Sequence, residues 1–116
     1  MSKGYIVIAQ NNSTTDYLEQ AYALALNLKL TQSTVSNLTV CVDADTKKLI
    51  KAKHKRIFDN IIDIPWQDDA AKQDWKINNK WKYYYMTPYN ETVILDTDMI
   101  FPVDVSYWWD IMAQRD

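Results

Sequence analysis

Two rhythms of apolar residues alternate along the chain. Tyr5 to Ala9 (Tyr-Ile-Val-Ile-Ala) is a short, unbroken apolar run, the pattern of a buried strand. Gln10 to Ser13 is a polar loop. Beyond it Tyr17, Leu18, Ala21, Leu24, Ala25 and Leu28 recur at helical spacing and form one apolar stripe. Ser13-Thr14-Thr15-Asp16 has the spacing of a capping box in front of that helix. Thr31 to Asn37 is a loop rich in Ser and Thr, and Leu38 to Val42 is a second strand. Asp43 or Asp45 then caps a basic helix that runs to about Arg56. Ile61 to Ile64 is a short third strand, stopped by Pro65. Asp68 or Asp69 opens another helix, whose apolar positions Ile77, Trp81 and Tyr84/Tyr85 follow the helical rule. Pro88 ends it, with Thr87 already biased to extended geometry. Thr92 to Asp96 is the fourth strand and Val105 to Ala113 the last helix.

Strands that alternate with helices imply right-handed crossovers and a mainly parallel sheet. The expected fold is therefore α/β and Rossmann-like: four strands with helices on both faces, half of a doubly wound architecture. At 116 residues the chain fits one small domain. It shows no internal repeat, linker or low-complexity tract.

Composition removes several chemistries. The sequence holds one glycine, Gly4, where a chain of this length ordinarily carries about eight. A glycine-rich phosphate loop is excluded, so a bound phosphate must rely on metal, side chains or a helix N-terminus. The one cysteine, Cys41, lies inside an apolar run and reads as a small buried hydrophobe; no intrachain disulfide can form. Net charge is −2, unevenly spread: residues 43–56 hold six bases against two acids. The lysines of that run are distributed around the helix and no aromatics interleave with them, so they read as a solvated surface and not as a nucleic-acid face. His54, within the same run, reads as a surface residue. Trp108 and Trp109 are adjacent and cannot both face inward from one helix. No apolar stretch reaches the length of a membrane span and the N-terminus lacks a signal-peptide layout, which makes the cytoplasm the default compartment.

The chemistry concentrates at Asp96-Thr97-Asp98. The run Thr92 to Leu95 has the composition of a strand buried on both faces, and it drives straight into two aspartates one residue apart. Ligands of open α/β sheets gather at the carboxyl ends of strands. Residues i and i+2 of an extended chain point to the same side, so Asp96 and Asp98 aim their charges into one small volume, where they repel unless a cation or a hydrogen-bond network joins them. Hard divalent cations take oxygen ligands and bridge protein carboxylates to substrate phosphates. The plainer reading is a polar turn.

Three segments carry a further likeness. The first is Ile6-Val7-Ile8-Ala9-Gln10-Asn11, followed by Tyr17 and a helix. The second is Lys80 to Tyr89, ending Met86-Thr87-Pro88-Tyr89. The third is Val93-Ile94-Leu95-Asp96-Thr97-Asp98-Met99-Ile100. Lys80 stands sixteen positions before Asp96. On these segments the chain resembles the N-terminal, nucleotide-binding half of GT-A glycosyltransferases, especially the glycogenin-like group (glycosyltransferase family 8), which places a donor-binding lysine at that offset before its Asp-x-Asp. The resemblance implies a nucleoside diphosphate sugar as donor, a UDP-sugar in the first instance, and Mn²⁺ or Mg²⁺ as cofactor. It implies that Asp98 ligates the metal, that Asp96 binds the metal or the ribose, and that Thr97 lies in the donor site between them. Lys80 would stand near the donor phosphates or sugar. Ala9 and Asn11 would meet base and ribose, Tyr17 would pack on the base, and Asp43 would reach the base edge. Each has a plainer role as well: Lys80 a solvated helix residue, Asn11 a turn former, Tyr17 core, Asp43 a helix cap.

Members of that family are considerably longer than this chain, and their C-terminal half supplies the acceptor site and further metal ligands. The expectation is thus a donor domain over residues 1–116, without the acceptor half, whose site a second chain or another copy could complete. No catalytic nucleophile or base is assigned. The alternative is a catalytically silent nucleotide- or metal-binding module of the same fold; a docking role for exposed tryptophans is a third reading. Phosphatases of the haloacid-dehalogenase type also carry Asp-x-Asp after a buried strand, but with Thr or Val where this chain has Ile100.

Overall fold

The computed structural model describes residues 2–65 and 82–113. Within them the chain is α/β, with four parallel strands flanked by helices, consistent with a Rossmann-like fold. In chain order the elements are β1 (Lys3–Ala9), α1 (Tyr17–Thr31), β2 (Leu38–Val42), α2 (Ala44–Lys47), α3 (Ala52–Ile57), β3 (Asn60–Asp63), α4 (Tyr83–Met86), β4 (Glu91–Ile94) and α5 (Tyr107–Ala113). The strand order is β3-β2-β1-β4, every pair parallel.

Alternation along β1 divides the interior in two. Tyr5, Val7 and Ala9 join Leu38, Val40 and Val42 of β2 in the larger core, where the apolar stripe of α1 (Leu18, Ala21, Leu24, Ala25, Leu28) and Trp109 of α5 close over them. Ile6, on the other face, packs with Cys41, Tyr83 and Met86, so α4 covers the opposite side. Each large aliphatic side chain buried this way contributes about 1.5–3 kcal/mol. Trp109 is 2% exposed and meets Tyr5 edge-on at 5.4 Å between ring centroids, whereas Trp108 is 37% exposed. The adjacent pair thus splits between core and surface, as helical geometry requires.

Five local expectations are revised. First, the helix after β1 starts at Tyr17 with Asp16 as its N-cap, accepting from the Glu19 N–H at 3.1 Å; the turn before it is built by Asn12, whose side-chain oxygen accepts from the Thr14 and Thr15 amides. Second, the basic segment is two helices. The Leu49 and Ile50 amides bond back to Thr46 and Lys47, Ile50 packs on the larger core, and Lys51 is extended. His54 Nδ1 then accepts the Lys51 N–H at 2.9 Å and restarts the helix as α3. Third, His54 is buried at 1% exposure, not a surface residue, because α3 lays it against α1. Fourth, β4 stops at Ile94, which is 54% exposed, so the strand is not buried on both faces. Fifth, in α4, ahead of β4, Tyr83 and Met86 are the inward residues, and Tyr84 and Tyr85 are exposed. Asp68, Asp69, Ile77, Lys80 and Trp81 lie outside the described residues.

Candidate functional site

The strand order places a topological switch point between β1 and β4. The chain builds outward from β1 through β2 to β3 and then returns to the far side of β1 as β4. In open parallel sheets the two connections at such a point leave in opposite directions and open a crevice beyond the carboxyl ends of the strands. Here β1 ends at Ala9 and β4 at Ile94, so the position of such a crevice lies between Gln10 and the Leu95–Asp96 segment.

Hydrogen bonds show how the strands part. The ladder of β1 and β4 runs from Lys3↔Glu91 to Ile6↔Ile94, and its last bond goes from the Leu95 N–H to the Ile6 carbonyl, 2.9 Å. β1 stays paired with β2 as far as Ala9↔Val42. The Ile8 N–H, which faces the β4 side, is taken by the Tyr83 hydroxyl at 3.0 Å. A side chain from α4 thereby replaces the strand that has turned away. Burial pushes the Tyr83 phenol well above its ordinary value; the Ile8 N–H works against this, and the nearby Cys41 and Asp96 add smaller upward pushes. The phenol therefore keeps its proton, beside Asp96 at the base of the crevice.

Beyond Leu95 the chain makes a turn, closed by the Met99 N–H on the Asp96 carbonyl at 3.2 Å. The strand has ended, so the turn and not a pleat sets the side-chain directions. Thr97 points inward: it is 9% exposed and donates from Oγ1 to Gln20 Oε1 of α1 at 2.7 Å. Asp96 and Asp98, on either side of it, are exposed. Two carboxylates thus flank one buried anchor at the crevice mouth. Two exposed carboxylates are the oxygen donor set that a hard divalent cation uses when water and substrate phosphate complete its shell. Among the described residues no group of three or more His, Cys, Asp or Glu stands together.

The other expected site residues occupy the same carboxyl edge, with structural bonds already in place. Ala9 is buried in the larger core opposite Val42. Asn11 accepts the Leu18 N–H at 2.9 Å, donates to Asp16 at 3.0 Å, and gives its own amide to Thr46 Oγ1 at 3.0 Å. Tyr17 packs against the core at the start of α1. Asp43 caps α2, accepting the Thr46 N–H at 3.0 Å. Asn11 and Asp43 are therefore brought together through buried Thr46, which ties the end of β1 to the end of β2. Lys80 lies outside the described residues. Gln20 and Tyr83 are absent from the sequence-based set. Gln20 sits beside the apolar stripe of α1, where a polar residue signals nothing, and Tyr83 is one of three consecutive tyrosines whose inward member no spacing singles out.

A second concavity, of about 520 Å³, opens at the carboxyl ends of β2 and β3, lined by Val42, Ala44, Lys47, Lys48, Asp63 and Ile64. It is wide and shallow, and Lys47 is paired across it with Asp63 at 3.0 Å. No helix among the described residues is long and apolar enough to cross a membrane. Comparison of the chain with protein-family models and with curated proteins finds no match to either.

Proposed function

We propose that the chain binds a nucleoside diphosphate sugar through a divalent cation held by Asp96 and Asp98, as the donor half of a glycosyltransferase. One observation carries the reading: the exposed carboxylates flank an inward-anchored Thr97 at the switch point of a parallel sheet, where such folds take their ligands. With one glycine in the chain, the diphosphate needs a cation, side chains or a helix N-terminus in place of a glycine-rich loop. Mn²⁺ or Mg²⁺ would neutralise the diphosphate and the charge that develops on it as the glycosidic bond breaks. Asp98 and Asp96 would bind that cation, Asp96 with the ribose as its other partner, and Thr97 would keep the two in register. The ends of β1 and β2, tied together by Asn11, Thr46 and Asp43, would form the floor under the base.

The test is a thermal-shift titration with Mn²⁺ and a panel of nucleoside diphosphates, on wild type and Asp98→Asn. Ligands that bind only the folded state raise its apparent stability, by about 2.7 kcal/mol at a hundred times Kd. A Mn²⁺-dependent rise with UDP that disappears in Asp98→Asn supports the reading; no rise with any nucleotide overturns it. Supplying a UDP-sugar and an acceptor then separates transfer from binding without turnover, which is the behaviour of a silent module.

A further inference from the structure

We infer that Gln20 is a positioning residue for the cation clamp, acting through Thr97. The inference rests on the assignment of Asp96 and Asp98 as cation ligands and adds to it a residue seventy-seven positions away in sequence.

The geometry is specific. Asp96, Thr97 and Asp98 form a turn past the last strand bond, so no ladder holds them. The turn is held at its two ends by backbone, through Leu95 on Ile6 and Met99 on Asp96. Between those ends the inward side chain is Thr97, and its hydroxyl meets Gln20 Oε1 at 2.7 Å. Gln20 in turn stands on the first turns of α1, with its backbone N–H on the Asp16 carbonyl at 3.3 Å, and α1 is fixed by five buried apolar residues. The turn is thereby referenced to a helix that lays five apolar residues in the larger core.

The physical consequence follows from the cost of bringing two like charges together. Asp96 and Asp98 repel, and a free turn would let them swing apart in the absence of a cation. Fixing Thr97 between them restricts that escape, so part of the ordering cost is met during folding and not at binding. Outer-shell groups that orient ligands in this way change metal affinity without touching the metal. Gln suits the position: its carbonyl accepts the Thr97 proton, and its neutral amide adds no third charge to the pair.

The experiment measures Mn²⁺ affinity from the electron paramagnetic resonance signal of free Mn²⁺, alone and with UDP, at a temperature where thermal scans show every variant folded. The variants are Thr97→Val, Gln20→Met, their double, Thr97→Ser and Asp98→Asn. Thr97→Val and Gln20→Met are each expected to weaken binding about ten-fold, the lower end for loss of an outer-shell partner. The double variant loses no more than either single, because both remove the same bond. Thr97→Ser, which keeps the hydroxyl, stays close to wild type. Affinity unchanged in Thr97→Val and Gln20→Met while Asp98→Asn abolishes it overturns the role of Gln20 and leaves the clamp standing. Additive losses in the double also overturn it. Wild type that binds no Mn²⁺ with or without UDP removes the clamp itself and this role with it. Should Thr97→Val fail to fold, Gln20→Met, at a half-buried position, together with Thr97→Ser, decides the question.

Discussion

His54 donates from Nε2 to Glu19 Oε1 at 2.9 Å, and this bond fastens α3 to the first turn of α1. The tautomer follows from the other nitrogen: Nδ1 accepts the Lys51 N–H, so the proton sits on Nε2. Lys53 Nζ reaches the second oxygen of Glu19 at 2.9 Å and lies over the Tyr22 ring at 4.7 Å. One carboxylate thus serves two residues of α3.

That arrangement predicts an acid limb in the stability profile. The hydrogen bond from Lys53, and then that from His54, holds the Glu19 carboxyl below its ordinary 4.5. A depressed carboxylate stabilises the fold above its unfolded value, and the contribution disappears as pH falls through the folded one. Urea midpoints measured against pH should therefore drop below about pH 4.5, and Glu19→Gln should flatten the upper part of that drop. Glu19 is partly exposed, so the effect is modest and shrinks in high salt. Asp104, brought down to about 2 first by the Ser106 hydroxyl and then by Ser33, acts further into acid. Its contribution is lost between about 3.8 and 2, and Asp104→Asn should alter only that lower part. A profile that Glu19→Gln leaves unaltered would disprove the assignment.

Tyr83 makes a separable prediction at the crevice. Tyr83→Phe keeps the ring between Ile6, Cys41 and Met86 but removes the acceptor for the Ile8 N–H. An amide left without its partner costs about 1–3 kcal/mol when shielded from water. The urea midpoint should fall accordingly, with the slope unchanged, and the Ile8 amide should exchange its hydrogen faster than its neighbours in β1. Uniform exchange across β1 would show that the Tyr83 hydroxyl is not what satisfies that amide.

The contrast between Tyr83 and Asp98 shows what the chain reveals by pattern and what it does not. The strand and helix order was legible because burial writes a pattern into the sequence: an unbroken apolar run where both faces are covered, as in β2, and a helical period where one is, as in α1. β2 and the stripe of α1 emerge residue for residue for that reason. Gln20, Tyr83 and His54 act through single long-range hydrogen bonds, and such bonds leave no period. The break at Lys48 to Lys51 is similarly silent: lysines are good helix formers, and only the pull of Ile50 into the core and the capture of the Lys51 amide by His54 interrupt them. Asp96 and Asp98 stand out in the sequence as two charges closing an apolar run, and the structure places both, exposed, on the turn after β4.

The lone glycine has a packing reason. A Cβ on Gly4 would run into the ring of Tyr89, whose hydroxyl meets Thr39 Oγ1 at 2.9 Å, with Asn60 on the same oxygen at 3.2 Å. The ring is therefore fixed from its far end and cannot yield easily. Gly4→Ala should destabilise by about 1–3 kcal/mol, the usual cost of overpacking. In a Tyr89→Ser background the same substitution should cost much less, and that coupling, read from a double-mutant cycle, is the check.

Cys41 offers a last prediction, on reactivity. It lies in β2, between Ile8 of β1 and Ile62 of β3, with no exposed surface. Burial pushes its thiol up to about 12. The thiolate is the reactive form, so at pH 8 the folded chain should present almost none of it, and none to solvent. An aromatic disulfide reagent should label Cys41 only as fast as the sheet opens, and labelling should accelerate across the urea transition. Cys41→Ala should cost about 1 kcal/mol, for a small cavity, while Cys41→Ser should cost about 1–3 kcal/mol, because its hydroxyl is stranded among apolar neighbours. Rapid stoichiometric labelling of the native protein would mean that β2 is open to solvent, and the two-faced core described here would have to be redrawn.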